Sequence, residues 1–249
     1  MKKLLLSAFV ICLAGTSIAQ ESPLWMRHCA LSPDGTTIAF TYKGDIYTVP
    51  STGGRATQIT TNPAFDTEPV WSPDSKQIAF ASDRMGSLDV FVVSSEGGAP
   101  QRLTTHSGSE KPVAYKDNKH ILFTANIAPS AEDAGFPSGQ FQQVYEVAVT
   151  GGRPAMFSSM PMECISINKE GVMLYQDKKG YEDYWRKHQV SPIARDIWTY
   201  TPGKKPVYQK QTTFGGEDRE PVWSPDGKSF YYLSEEDRKS TRLNSSHLR

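Results

Sequence analysis

The sequence predicts an all-β protein, a β-propeller built from four-stranded blades. Three observations support this: a recurring turn motif, a short amphipathic strand after each copy, and a first interval of 40 residues between copies. The turn is Ser-Pro-Asp-Gly or a close variant and begins at Ser32, Ser72 and Ser224, with weaker copies at Tyr115 and Asn168. A repeat of about 40 residues that holds four short strands is typical of a propeller blade.

Each repeat contains the same elements in the same order. In the turn, proline fixes φ, aspartate bonds nearby amides and glycine accepts a positive φ. A strand with apolar residues at alternate positions follows, as at Ile38 and Phe40, and this period indicates one buried face. A second apolar strand begins at Asp45, and a Gly-Gly turn at Gly53 leads to a short fourth element. Because four strands cannot bury both faces of their sheet alone, we expect the blades to stack radially.

The repeats account for four blades and the start of a fifth, so the predicted ring is incomplete. The fifth copy follows the second as far as Glu236, where a further strand is expected. Residues 237–249 instead show no periodicity and resemble the translation of a sequencing-adapter oligonucleotide. We therefore expect a partial propeller domain over residues 20–236, a non-native tail over 237–249, and a truncated translation.

Residues 1–19 are predicted to be a secretory signal peptide. A basic start with Lys2 and Lys3 precedes an apolar run, and small residues at Ser17 and Ala19 mark a cleavage site before Gln20. The run has about 11 residues, against the ~20 that span a bilayer. The sequence thus predicts an exported protein, periplasmic or extracellular in a bacterium, with no membrane span after cleavage.

Composition argues against several classes of function. The chain carries 27 basic and 27 acidic residues, and without its two ends it is acidic, which does not favour a nucleic-acid partner. The three cysteines lack zinc-site spacing, and Cys29 and Cys164 fall in blades too far apart for a disulfide. No Gly-x-Ser-x-Gly, His-Glu-x-x-His, P-loop or Gly-x-Gly-x-x-Gly motif occurs. No catalytic residue, metal site or cofactor is therefore predicted for this chain.

Acidic residues recur in the loops that enter the innermost strand of the blades. The candidates are Glu68, Glu110, Glu163 and Glu220. Since innermost strands line the central channel of a propeller, these carboxylates would ring one mouth and act as an electrostatic filter for peptides. Acidic loops that only keep the protein soluble are the simpler interpretation, and both stay open.

Two insertions lengthen the same loop of neighbouring blades, between the second and third strands. They span 127–141 in blade 3 and 178–195 in blade 4, so we expect both on one face of the disc. The second has the composition of an interface and contains Tyr181, Tyr184, Trp185, Arg186 and His188. The alternative is a loop that packs on its own blade.

The blades resemble the WD40-like (PD40) repeats shared by TolB, prolyl-oligopeptidase-type enzymes and tricorn-like proteases. Two segments look specifically like secreted tricorn-like peptidases of the S41 type: 23–27, and the fourth-blade segment 180–198 with Gly-Tyr-Glu-Asp-Tyr-Trp-Arg-Lys-His. The likeness covers residues 1–236. In that family a six-bladed propeller precedes a seven-bladed one, a PDZ domain and a catalytic core with Ser and His.

The resemblance implies the non-catalytic propeller part of an exported serine peptidase, which serves substrate access, binding or assembly. The implied partners are peptide or protein substrates reached through the full-length enzyme, its downstream propeller, PDZ and catalytic domains, and a second copy in a homo-oligomer. Two alternatives stay open: a TolB-like periplasmic protein-binding propeller, and the propeller of a prolyl-oligopeptidase-type (S9) peptidase.

Overall fold

The computed structural model describes residues 25–127, 141–180 and 191–236, together with the backbone of 242–247. Every regular element in these ranges is a β-strand, and the strands form five separate antiparallel sheets. Four sheets have four strands and the fifth has three. The predicted all-β propeller, with four blades and the start of a fifth, is therefore confirmed.

In each blade the strands follow chain order from the central channel outward. Blades 1 and 2 consist of β1 (Arg27–Leu31), β2 (Thr37–Tyr42), β3 (Asp45–Pro50), β4 (Thr57–Gln58), β5 (Asp66–Trp71), β6 (Gln77–Ser82), β7 (Asp89–Ser94) and β8 (Gln101–Arg102). Blades 3 and 4 consist of β9 (Glu110–Asp117), β10 (His120–Ala125), β11 (Gln143–Ala148), β12 (Ala155–Ser158), β13 (Met162–Ile167), β14 (Met173–Asp177), β15 (Ile197–Thr201) and β16 (Val207–Lys210). Blade 5 consists of β17 (Asp218–Trp223), β18 (Ser229–Ser234) and β19 (Arg242–His247).

The repeated turn is held by the serine hydroxyl. Ser32 Oγ donates to Asp34 Oδ1 at 2.6 Å and accepts from the amide of Thr37 at 3.0 Å, and the other two Ser-Pro-Asp turns contain the same serine–aspartate bond. This serine bond is the main cause that lowers the pKa of Asp34. The fourth turn residue has a positive φ, 74° at Gly35 and 60° at Ser75, which explains why glycine is used in two of the three copies.

The hydrophobic core consists of four layers, one between each pair of consecutive blades. Phe80, Ile121, Tyr175 and Phe230 lie in different layers and are almost fully buried. These side chains belong to the second strands, so the alternating apolar pattern marks the faces on which the blades stack. A blade is thus stabilised by its neighbours rather than by itself.

A tryptophan joins two pairs of blades at the innermost strand. Trp71 of blade 2 donates from Nε1 to the carbonyl of Ala30 in blade 1 at 2.9 Å. Trp223 of blade 5 donates to the carbonyl of Ser166 in blade 4 at 3.1 Å. At the equivalent place in blade 1, Leu31 is 56% exposed, because no described blade precedes it.

Residues 242–247 pair with β18 as the third strand of blade 5, in register from Ser229↔His247 to Ser234↔Arg242. They fall within the segment expected to be a non-native tail, and its origin stays a prediction. The predicted signal peptide at 1–19 lies outside the described residues, as does the interface loop with Tyr181, Tyr184, Trp185, Arg186 and His188. The described part of the chain contains no helix that is long and apolar enough to cross a membrane.

Candidate functional site

The innermost strands enclose a central channel that consists of two adjoining cavities of about 510 Å³ and about 700 Å³. The larger cavity opens at the Ser-Pro-Asp turns and the smaller at the opposite end, where the innermost strands begin. Cys29, Pro69, Val70 and Val113 line both cavities and form a mostly apolar waist. We call the open end of the smaller cavity the channel mouth; His28, Glu68 and Glu163 lie there.

Each innermost strand except β9 has a left-handed residue at the mouth. His28, Glu68, Cys164 and Glu220 have φ values of 50°, 55°, 52° and 54°. In each case the ladder with the second strand shifts register there, as in a β-bulge. Blade 3 has Pro112 at this position, whose ring excludes a positive φ. Such backbone strain in non-glycine residues costs free energy and is concentrated at functional sites.

Glu68 is one of two predicted carboxylates that line the smaller cavity. It comes from β5 of blade 2, and its Oε1 accepts a hydrogen bond from Lys111 Nζ of blade 3 at 2.8 Å. The pair is partly exposed, with 24% of the Glu68 and 36% of the Lys111 side chain accessible. The charge of Glu68 is therefore compensated across a blade boundary.

Glu163 is the second carboxylate in this cavity, and it is compensated by the insertion of blade 4. Its two oxygens accept from Lys178 Nζ at 2.9 Å and from Gln176 Nε2 at 3.0 Å, and Arg195 Nε lies 3.6 Å away. Burial raises the pKa of Glu163, but these hydrogen bonds and the charges of Lys178 and Arg195 outweigh it and hold the pKa below its usual value. Lys178 and Arg195 are the end residues of the predicted insertion, which therefore starts and finishes at the mouth.

Glu220 lies at the edge of the same group. Its amide donates to Gln176 Oε1 at 2.7 Å, and its side chain is exposed. Burial, followed by the charges of Glu163, Glu220 and Glu68, raises the pKa of the Cys164 thiol to about 12. Cys164 is surrounded by protein yet accessible to water because it opens onto the channel. The charges of three of the four predicted carboxylates thus act on one thiol.

Glu110 is the carboxylate whose position differs from the expected one. It is only 1% exposed and lies between blades 2 and 3, beside Asp89 and the Thr104 hydroxyl. Burial, with the charge of Asp89, raises the pKa of Glu110 to about 6. The reason is register: Glu110 is the first residue of its inner strand, as Asp66 and Asp218 are, whereas Glu68 and Glu220 lie two residues further along.

The position of Glu110 belongs to a pattern that the sequence reading missed. Three blade boundaries contain an acid at or immediately before the start of a third strand, a threonine after the fourth strand and an acid at the start of the next inner strand. We call this trio the interblade cluster; its members are Asp45, Thr60 and Asp66; Asp89, Thr104 and Glu110; and Asp196, Thr212 and Asp218. Each threonine Oγ1 also accepts from a third-strand amide, at 2.8 to 3.1 Å. The signal was a spacing of 15 or 16 residues followed by six.

Acids of the interblade clusters also pair with cations of their own blade. Arg84 donates to both oxygens of Asp66 at 2.9 Å, and Arg102 lies 2.9 Å from Asp89. Lys179 and Lys210 both pair with Asp196. Within the described residues, no group of three or more His, Cys, Asp or Glu side chains is arranged to hold a metal ion. Chemically, the channel therefore offers an apolar waist and a mouth of paired charges, and Cys29 and Cys164 are free thiols.

The family assignment rests on a match that covers almost the whole chain. The model of the family described as tricorn protease N-terminal beta propeller domain matches residues 23–245. The chain belongs to this family. A protein of Agrobacterium fabrum, the uncharacterized protein Atu1656, is 34% identical over 218 residues, which cover 82% of this chain and 68% of that protein.

Two larger relatives are similar over shorter stretches. The uncharacterized peptidase YuxL of Bacillus subtilis is 32% identical over 39% of this tricorn-type chain and 16% of its own length. Tricorn protease homolog 1 of Streptomyces coelicolor is 39% identical over 31% of the chain and 7% of its own length. The chain therefore corresponds to a small part of each of these relatives.

Solved structures show the same fold at low identity. The tricorn protease has a TM-score of 0.70 at 17% identity, and the match covers 91% of this chain and 22% of that one. A putative TolB from Agrobacterium tumefaciens has a TM-score of 0.69 at 15% identity and covers 91% of this chain and 78% of that one.

Proposed function

We propose that this tricorn-type propeller is the non-catalytic part of an exported serine peptidase of the S41 type, and that its channel admits or releases peptides. The observation that carries the proposal is a pair of adjoining central cavities with a shared apolar waist, in a chain of the tricorn propeller family. Such a channel suits an extended peptide, since its walls offer apolar contact and its mouth offers paired charges. The partners would be peptide substrates or products and the domains that follow in the complete enzyme.

We propose a weaker form of the electrostatic filter that the sequence predicts at the channel mouth. Glu68 and Glu163 are compensated by cations, and Glu110 is buried, so the predicted uncompensated acidic ring is absent from the described part of the mouth. Glu220 is exposed and contributes a further negative charge. We expect the charges at the mouth to favour basic over acidic peptides weakly. High salt should remove this preference, because screening shortens the range of their electric field.

The channel proposal is tested in the complete parent enzyme by chemical modification of Cys29, which lies at the waist. Cys164 is changed to Ser, and Cys29 is then modified with a bulky maleimide. We expect kcat/KM for long unfolded polypeptides to fall at least about tenfold, because a bulky adduct at the waist obstructs the channel; tenfold corresponds to about 1.4 kcal/mol in the barrier. The variant in which Cys29 is also Ser, given the same reagent, controls for other sites. Unchanged cleavage of long substrates would contradict a role of the channel in substrate access.

Export is tested separately. The signal at 1–19 supports cleavage before Gln20. Amino-terminal sequencing of material exported by a bacterial host is expected to begin at Gln20. An exported product that keeps Met1 would contradict the proposal.

A second candidate function is protein docking, and one observation favours it. Both ends of the blade 4 insertion are anchored at the channel mouth, where Lys178 and Arg195 pair with Glu163. A docking propeller would present the ends of the blade 4 insertion, held at the mouth by Lys178 and Arg195, to a partner. The reading frame beyond Glu236 separates the candidates: PDZ and S41 domains support the peptidase, and an early stop supports docking.

A further inference from the structure

Three of the four boundaries between consecutive blades share a backbone hydrogen bond. At each, the first amide of the inner strand donates to the carbonyl just before the third strand of the preceding blade: Asp66 to Gly44 at 2.7 Å, Glu110 to Leu88 at 2.7 Å, and Asp218 to Arg195 at 3.1 Å. At the boundary between blades 3 and 4 the equivalent residues are Met162 and Gln142, both described, and this bond is absent.

The same boundary lacks the side-chain ties of the others. Gln143, Ser158 and Met162 occupy the three positions of the interblade cluster, so no buried acid is present there. Bonds between neighbouring Ser-Pro-Asp-type turns join blades 1 and 2, 2 and 3, and 4 and 5: Asp34 N to Ser75 Oγ, Asp74 N to Asn118 Oδ1, and Asn168 Nδ2 to the Gly227 carbonyl. Apart from Met160 N to Ser158 Oγ in the connecting loop, no hydrogen bond or ion pair joins the described residues of blades 3 and 4.

The backbone of the inner strand also packs against fewer strands of the preceding blade at this boundary than at the others. β5 lies against β1, β2 and β3, β9 lies against β5, β6 and β7, and β17 lies against β13, β14 and β15. In contrast, β13 approaches mainly β9. The boundary is held by apolar side chains, among them Met162 and Tyr175 of blade 4 against Leu122 and Val144 of blade 3. Phe157 and Tyr200 add an edge-on ring contact at 6.0 Å.

Apolar contact is non-directional, whereas hydrogen bonds and buried ion pairs restrict both distance and angle. Where the described residues of two blades meet by side-chain packing, they can slide or rotate by small amounts without breaking a polar bond. We propose that the boundary between blades 3 and 4 is the hinge of this propeller and divides it into two bodies, blades 1–3 and blades 4–5. The inference depends on the fold alone and holds whether or not the chain is part of a peptidase.

The hinge has a consequence for the channel. Both bodies supply walls of the smaller cavity: Glu68 and Pro112 come from blades 2 and 3, while Glu163 and Cys164 come from blade 4. Rotation at the hinge therefore changes the width of the mouth. The ion pairs of Glu68 and Glu163 each stay within one body, so the motion leaves them intact.

Distances between spin labels measure this motion directly. In the full chain with its three native cysteines changed to Ser, labels at Glu96→Cys and Lys204→Cys span the 2–3 and 3–4 boundaries. Labels at Ser51→Cys and Lys119→Cys span the 1–2 and 2–3 boundaries and serve as the matched control. All four positions are exposed and face the same end of the disc. Dilution with unlabelled protein removes distances between molecules.

We expect the distance distribution of the 96–204 pair to be wider than that of the 51–119 pair by about 2 Å, the size of a shear displacement between packed elements. Lys111→Met, which removes the hydrogen bond to Glu68 across the 2–3 boundary, is expected to widen the 51–119 distribution. Equal widths for the two pairs would overturn the hinge. An unchanged 51–119 width in a folded Lys111→Met variant would overturn the claim that polar bonds hold the 2–3 boundary rigid.

Discussion

The boundary between blades 2 and 3 and the boundary between blades 3 and 4 join equivalent strands by different means. The first has Asp89, Thr104 and Glu110, a backbone bond and the Glu68–Lys111 pair. The second buries Met162 at the position of Glu110 and relies on apolar contact. Both close the core, so the propeller requires burial at every boundary but not polar ties. Polar bonds fix the geometry of a boundary and make its stability depend on pH and salt, and each of these effects can be tested.

The apolar boundary is most sensitive to loss of volume. Met162 is 1% exposed, and Met162→Ala is expected to lower the free energy of unfolding by about 2–5 kcal/mol, because it removes buried surface and leaves a cavity. Urea denaturation measures the change. Met156→Ala, at a position 45% exposed in the adjoining blade, is the control and should stay within about 0.5 kcal/mol. Equal losses in the two variants would contradict the importance of this layer.

The polar boundary is expected to depend on pH through Glu110. Its pKa is raised from 4.5 to about 6, so the folded state resists ionisation of this carboxyl. Below about pH 4.5 the group is protonated in both states and costs nothing; above about pH 6 its burial costs roughly 2 kcal/mol. Glu110→Gln should therefore raise the free energy of unfolding at pH 8 by up to that amount and have little effect at pH 4.

Denaturation at the two pH values measures the difference. Glu96→Gln, in an exposed turn, is the matched control and should change stability at neither pH. An effect of Glu110→Gln that is equal at pH 4 and pH 8 would show that its carboxyl does not titrate abnormally in the folded protein.

The innermost-strand tryptophans offer a smaller effect. Trp71→Phe removes the indole donor to the Ala30 carbonyl and should cost at least about 1 kcal/mol. Tyr115 is buried at the equivalent position of blade 3, and its hydroxyl has no hydrogen-bond partner among the described residues. Tyr115→Phe should accordingly be neutral or slightly stabilising. A Trp71→Phe variant as stable as the unchanged protein would show that the Trp71–Ala30 bond contributes nothing to stability.

Much of the fold was predictable because the repeat recurs in local chemistry. The turns at Ser32, Ser72 and Ser224 and the alternating strands after them are features of neighbouring residues, and the structure has them where the sequence indicates. The predicted second apolar strand at Asp45 appears as β3 (Asp45–Pro50). Propeller stacking follows from these strands, since each leaves an apolar face to cover.

The site was less predictable because strand register and the sign of φ are not determined by neighbouring residues alone. A positive φ at Glu68 or Cys164 has no signal in a single copy, as neither is glycine. Glu110 was grouped with Glu68 because both are acidic residues in entry loops, although they lie two positions apart in the repeat. Aligning Asp66, Glu110 and Asp218 would have separated them. The same alignment shows Met162 in the place of an acid, which marks the apolar boundary.

The Glu68–Lys111 pair is expected to give the smallest effect and the clearest contrast in salt. The pair is partly exposed, so its coupling energy in a double-mutant cycle of Glu68→Gln and Lys111→Met should be at most about 1 kcal/mol. The Debye length shrinks from ~10 Å at 0.1 M to ~3 Å at 1 M, so the coupling should nearly vanish in 1 M NaCl. The loss caused by Met162→Ala, which involves no charge, should persist there. A coupling energy that survives 1 M NaCl would mean that the pair is more buried than its accessible surface indicates, and that the two boundaries differ less in kind than their contacts suggest.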